Sequence, residues 1–211
     1  PWVIGTYVLE SRPSPFPMAR PKEFDVDDAL QQALELFWRK GYEATSVQDL
    51  VAAMGIQKAN LYGTFGDKHS LYMKALQRYE ADGFAALADH LTAAKSPKNA
   101  LRDLVLGNAE QACSAKGKVG CFCVNANVEM APQDEEVSDL VRDHSERVEA
   151  LLEATLRRAK ALGEIGKGAN CKQLATFLFG AIVALNVLGK QRASRDRMLA
   201  MARQSLAVLD G

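Results

Sequence analysis

The stretch that decides the fold is "TSVQDLVAAMGIQKANLYGTFGDK", residues 45–68. Two short amphipathic runs meet there at Met54-Gly55-Ile56. In the first run Val47, Leu50 and Val51 share one helical face, and Thr45-x-x-Gln48 has the spacing of a capping box. Gly55 supplies the positive φ that a sharp turn needs. The second run sets Leu61 and Phe65 one turn apart, but it leaves Gln57, Lys58, Asn60 and Tyr62 with no core to fill. Two helices at about residues 47–53 and 57–64 form a helix-turn-helix by spacing. In that motif the second helix enters the major groove and its N-terminal residues reach base edges. Amides and lysines suit purine edges. Thr45, Tyr62 and Lys68 carry donors suited to phosphates, and Ala59 and Gly63 leave room for close approach. An ordinary helical hairpin with a solvated polar face has the same spacing, so pattern alone leaves both readings open.

Outward from this stretch nearly everything reads as helix. Val26, Leu30, Ala33, Leu34 and Phe37 recur at spacings of three and four, with Asp25 or Asp27 as cap and Gly41 as the terminating residue. Asp67 can cap a long helix toward Leu91, and Ser96-Pro97 opens another that ends before "KGKVG". "CFCVNANVEM" follows, then a helix from about residue 134 to 162, then two apolar helices at roughly 171–189 and 195–209, capped by Asn170 and Ser194. The spacing predicts an all-α protein of about nine helices. Residues 1–17, with proline at 13, 15 and 17, are expected to be a disordered tail or upstream extension.

Composition bounds the partners. The 211 residues include 26 Lys+Arg and 26 Asp+Glu, so net charge does not announce a nucleic-acid partner. Lys58, Lys68, Lys74 and Arg78 nonetheless form a modest basic patch, compatible with a few phosphate contacts. The most apolar segment, residues 174–189, falls short of the ~20 residues of a membrane span and reads as a buried helix. Four cysteines without a secretory signal fit a reducing cytosol rather than a disulfide framework.

The run "ALELFWRKGYEATSVQDLVAAMGIQKANLYGTFGDKHSLYMKAL" resembles the N-terminal DNA-binding domain of the TetR/AcrR family of bacterial transcriptional regulators. Phe37, Gly41-Tyr42, Thr45-Ser46-Val47, Leu50, Met54-Gly55-Ile56, Leu61-Tyr62, Phe65, Lys68 and Leu71 carry the likeness without a gap, over about residues 29–76. It implies a helix-turn-helix unit over residues 18–70 and a helical effector-binding and dimerisation domain over 71–211. The DNA-binding positions are then Thr45, Ser46, Gln57, Lys58, Ala59, Asn60, Tyr62, Gly63, Thr64 and Lys68. Two departures stand out. Gln57 replaces the usual Ser or Thr at the start of the recognition helix, and glutamine is a poor N-cap. His69 replaces the usual acid after the lysine.

The same resemblance implies a homodimer on a palindromic double-stranded operator and a small-molecule effector that releases it, in the cytoplasm, without a cofactor. Phe84, Leu104, Cys121, Phe122, Asn125, Met130 and Phe177 are the candidate cavity residues. Phe177, Leu178, Val183, Val187, Leu199, Ala202, Leu206 and Leu209 are candidates for the dimer interface, where the alternative is intrachain core. Cys121 and Cys123 form a Cys-x-Cys that could sense oxidants or hold Cu(I). On a helix their side chains would diverge by about 200°, poor geometry for one metal. No histidine has ligand spacing, and the sequence carries no catalytic constellation.

Overall fold

In the computed structural model, residues 24–114 and 117–210 are described; the expected N-terminal tail, residues 1–17, lies outside them. Among these residues there are nine α-helices and no strand. They are α1 (Val26–Lys40), α2 (Val47–Met54), α3 (Lys58–Phe65), α4 (Lys68–Ala93) and α5 (Pro97–Ala112), followed by α6 (Phe122–Glu129), α7 (Glu135–Ala161), α8 (Cys171–Lys190) and α9 (Arg195–Leu206). A short 3-10 turn, Ala207–Leu209, continues α9.

The helix starts follow the side chains that can accept orphan N–H groups. The Asp25 carboxylate accepts from Asp27 N at 2.8 Å and Asp28 N at 3.1 Å. Asp67, Ser96, Asn170 and Ser194 cap α4, α5, α8 and α9 as expected. One cap is corrected. The capping box of α2 is Ser46 with Asp49, not Thr45 with Gln48. Thr45 is fully buried, and its hydroxyl donates to Gly41 O at 2.6 Å, so the next residue takes the cap. The Asp49 carboxylate accepts from Ser46 N at 2.9 Å and from Lys40 Nζ at 2.6 Å, which holds it well below the usual carboxylate range.

Two apolar clusters organise the chain. The first gathers Phe37 of α1, Leu50 of α2, Leu61 and Phe65 of α3, and Leu71, Tyr72 and Leu76 of α4. It also takes in Phe122 and Ala126 of α6 and Val137 of α7, so α6 belongs to the core under the helix-turn-helix. The second cluster is built by α5, α7, α8 and α9, with Leu91 from the far end of α4. The 26 residues of α4 therefore run through both. At about 1.5 Å per residue, that is a continuous rod of roughly 39 Å.

α8 differs from expectation. Its 20 residues include an 18-residue window with a mean hydropathy of 1.6, by length and composition enough for a membrane span. The helix packs against α5 and α7 on one side. Its other side is not buried, and Phe177 and Val187 stand 48% and 41% exposed.

Candidate nucleic-acid interface and ligand cavity

α3 is held by its apolar side and offers its polar one. Leu61 and Phe65 are buried, while Gln57, Lys58, Ala59, Tyr62 and Gly63 are exposed and Asn60 and Thr64 half-buried. Gln57 occupies the N-cap position but makes no side-chain cap bond. The first N–H groups of α3 are therefore left to external acceptors, a favourable place for an anion. The Lys58 ammonium lies 5.8 Å from the centre of the Tyr62 ring, one turn on. The two side chains share one exposed ridge. Ser46 is exposed at the start of α2. Lys68 is half-buried, with its ammonium 4.1 Å from the centre of the Tyr42 ring.

Thr45 is corrected as a DNA contact, since it is wholly buried and its hydroxyl is spent on Gly41. His69 has an internal partner. Its Nε2 lies 2.8 Å from Oδ2 of Asp134, the cap of α7. The family's usual acid could not make that bond, so this departure ties α4 to α7.

Behind the DNA-binding unit lies a partly open cavity of about 620 Å³ lined by α1, α4, α5, α6, α7 and α8. Of the candidate cavity residues, Phe84, Leu104 and Cys121 line it. Four other candidates do not. Phe122 is buried in the first core, edge-on to Tyr72 and Tyr79 at 5.5 and 5.7 Å. Met130 is buried in the same core. The Asn125 amide donates to Val119 O at 3.0 Å, and its oxygen accepts from Lys190 Nζ. Phe177 points to solvent.

Trp38, Tyr79, His144, Phe179 and Asn186, which also line the cavity, were not legible in the sequence. They come from α1, α4, α7 and α8, and no spacing joins them. Trp38 and Tyr79 stack edge-on at 5.1 Å, and the Trp38 indole donates to Gly120 O at 2.9 Å. His144 Nδ1 lies 3.2 Å from Glu80, which also accepts from Arg147 at 2.7 Å. The Arg147 guanidinium covers the Phe84 ring at 4.1 Å.

Cys121 and Cys123 both line the cavity, Cys121 as the N-cap residue of α6 and Cys123 in its first turn. The break in helix at Cys121 brings the two thiols onto one side. A hydrogen bond from the Cys123 thiol, helped by Val124 N–H and the Tyr79 hydroxyl, pulls Cys121 down to about 6. The same bond and burial push Cys123 up. Of the two, Cys121 is the thiol favoured to ionise first.

The proposed dimer residues divide. Leu178, Leu199, Ala202, Leu206 and Leu209 are buried within their own chain, where α8 and α9 pack on α5 and α7. For these five the intrachain alternative is correct. Val183 is half-buried and lines the cavity. Phe177 and Val187 remain, and with exposed Gly180 and half-buried Ala184 they form one stripe along α8. Val208, 36% exposed, lies beyond the end of α9. The spacing 177, 180, 184, 187 was readable in the sequence. What hid it was the equally apolar inner face of the same helix.

A helix-turn-helix set on a helical ligand domain defines the class: a DNA-binding regulator with a cavity of its own. Comparison with known proteins agrees. Residues 29–74 match the description "Bacterial regulatory proteins, tetR family" and residues 97–206 "Tetracyclin repressor-like, C-terminal domain". The chain is 34% identical over 194 residues to the HTH-type transcriptional regulator YezE of Bacillus subtilis, covering 92% of this chain and 100% of that one. It is 34% identical over 189 residues to the HTH-type transcriptional repressor ComR of Escherichia coli, covering 89% and 90%. A cysteine-substituted form of the TetR family regulator CifR, solved on a 26-base-pair operator, superposes with a TM-score of 0.80. The two are 31% identical over 90% of this chain and 98% of that one. The chain belongs to the TetR family. It is a DNA-binding transcriptional regulator of the helix-turn-helix type.

Proposed function

We propose that the chain is a cytoplasmic repressor whose α3 reads a palindromic operator, and that an effector in the α1–α8 cavity releases it. The observation that carries this is the division of α3. Leu61 and Phe65 anchor it from below, while Gln57, Lys58 and Tyr62 stand exposed at an uncapped helix start. The cavity's aromatic, aliphatic and amide lining suits a mostly apolar effector carrying one or two hydrogen-bonding groups. Such a molecule acts only through unequal affinity for the DNA-bound and released forms.

Fluorescence anisotropy on DNA from upstream of the protein's own gene, with competitor DNA, tests the reading. Lys58→Ala is expected to cost about 1–3 kcal/mol of operator affinity and to relax preference at one base pair, as for a lost base contact. Tyr62→Ala is expected to weaken binding evenly across sequences, as for a lost phosphate contact. If both variants bind the operator like the wild type, α3 is not the reading helix.

A second reading has its own support in the two thiols facing the cavity: a cysteine-based sensor on the same DNA-binding unit. An ordinary thiol titrates near 8.5, whereas Cys121 sits at about 6. The thiolate is the reactive form, so reactivity is lost below the pKa and full above it. The iodoacetamide rate at the Cys121 peptide is expected to rise with a midpoint near pH 6 and to vanish in Cys121→Ser. A midpoint in the ordinary thiol range would remove this reading.

A further inference from the structure

α6 is only eight residues long, yet it touches both functional regions. Cys123, Val124 and Asn127 on it line the cavity. Both of its ends hold the DNA-binding unit. Just before its start, Gly120 O accepts the indole N–H of Trp38, near the end of α1. At its end, the Glu129 carboxylate accepts the backbone N–H of Glu43 at 3.0 Å, in the loop between α1 and α2.

The fit around Glu129 is close. A Cβ on Gly41 would come within 2.8 Å of both Glu129 carboxylate oxygens. Gly41 also has a φ of +84°, a region that side chains disfavour. The positive φ is what holds this position to glycine, and the Glu129 carboxylate lies directly against the space that its missing side chain leaves. The loop is also where α2 takes its direction. Gly41 O accepts the Thr45 hydroxyl, and Ser46 opens the helix one residue later.

We infer that Glu129 is the positioning residue through which the cavity sets the helix-turn-helix. This rests on the cavity being the effector site. An N–H bonded to a carboxylate is about twice as strong as a neutral pair. While that bond holds, an occupant that displaces α6 drags residues 41–45 with it and so moves the start of α2 relative to α1. The Trp38–Gly120 bond ties the start of α6 to α1 rather than to the loop before α2, and the His69–Asp134 pair joins α4 to α7 with neither residue lining the cavity. That pair holds the two regions together without reporting what fills the space between them.

Coupling between two sites is reciprocal in binding free energy, so DNA bound at α3 changes the cavity's affinity for an occupant by the same factor, and the two cavity thiols can report the accompanying change in their surroundings. That permits a test without knowing the effector. Full-length protein is treated with iodoacetamide, a small neutral probe, with and without an operator selected from random duplexes. The rate is read by mass on the peptide that carries Cys121 and Cys123. Operator is expected to change the wild-type rate by about fivefold or more.

Glu129→Gln should keep the effect, because its amide oxygen still accepts the Glu43 N–H. Glu129→Ala should lose it while keeping the wild-type helical content and the wild-type rate without DNA. Glu129→Asp keeps the charge but draws the carboxylate back by one methylene. It should lose the effect too, and it serves where the alanine variant fails to fold. Variants that retain the full operator effect overturn the role of Glu129 and leave the coupling to α4. A wild type with no operator effect overturns the effector reading as well, so the two failures are told apart.

Discussion

Phe37→Ala is expected to destabilise the protein by about 3–5 kcal/mol, the usual cost of removing a buried phenylalanine ring. Phe37 is fully buried. Its ring meets Tyr72 edge-on at 5.1 Å and stacks near Tyr42 at 6.2 Å, so its loss opens a cavity bounded by stiff aromatic neighbours. Those neighbours belong to α4 and to the loop before α2, which leaves little means of collapse into the gap. Domains of this size are stable by only about 5–15 kcal/mol. The thermal midpoint, followed by circular dichroism, should therefore fall by about 10 °C. Phe37→Leu keeps most of the volume and should cost well under half as much. An alanine variant that unfolds within about 2 °C of the wild type would mean that the first core is not organised around this ring.

Phe177→Asp is expected to break the dimer. Phe177 stands 48% exposed in the stripe that continues through Gly180, Ala184 and Val187, whose outer side is left open among the described residues. In a two-fold interface each substitution appears twice, once from each copy. Burying each carboxylate without a partner costs about 2 kcal/mol or more. Together these raise the dimer dissociation constant about a thousandfold. Sedimentation velocity should then show a monomer that keeps its helical content, and operator binding should fall with it. Such a loss follows because two recognition helices must reach half-sites about 34–36 Å apart on one duplex. Leu178→Ala, one residue on and fully buried, should instead lower stability and leave the dimer intact. If Phe177→Asp remains dimeric, the interface lies elsewhere on the chain.

The two substitutions separate what the sequence displayed from what it hid. Phe37 lies in the i, i+3, i+4 pattern of α1, and its inward position is evident from spacing alone. Phe177 and Leu178 are adjacent and equally apolar, and only the packing of α8 against α5 and α7 shows that they face opposite ways. Where a helix is apolar all round, hydrophobic periodicity carries no information about which side is the core. On α9 the spacing does mark one apolar face, with Leu199, Ala202 and Leu206, but not whether that face meets its own chain or a partner.

The α2 cap shows a finer version of the limit. Thr45 and Ser46 are both good caps, and Gln48 and Asp49 are both able to complete a box. The choice fell to Ser46 because Thr45 is drawn into the core, where its hydroxyl finds Gly41 O. Its methyl group joins the buried side of the loop. A preference of that kind is settled by the neighbours of the loop rather than by the loop.

The sequence by itself determined that this protein is helical, where most of its helices start and stop, and that α3 presents Gln57, Lys58 and Tyr62. Those features depend on contacts within one turn or one short motif: caps, glycines at positive φ, and apolar spacing. Only the tertiary structure decided the rest. It placed Trp38, Tyr79, His144 and Asn186 around one cavity, turned Cys121 and Cys123 toward it, and set Glu129 against Gly41 across 88 positions of chain. These arrangements join residues from separate helices, and their distances follow from how α4, α6 and α7 pack, which no local pattern in any one of those helices encodes.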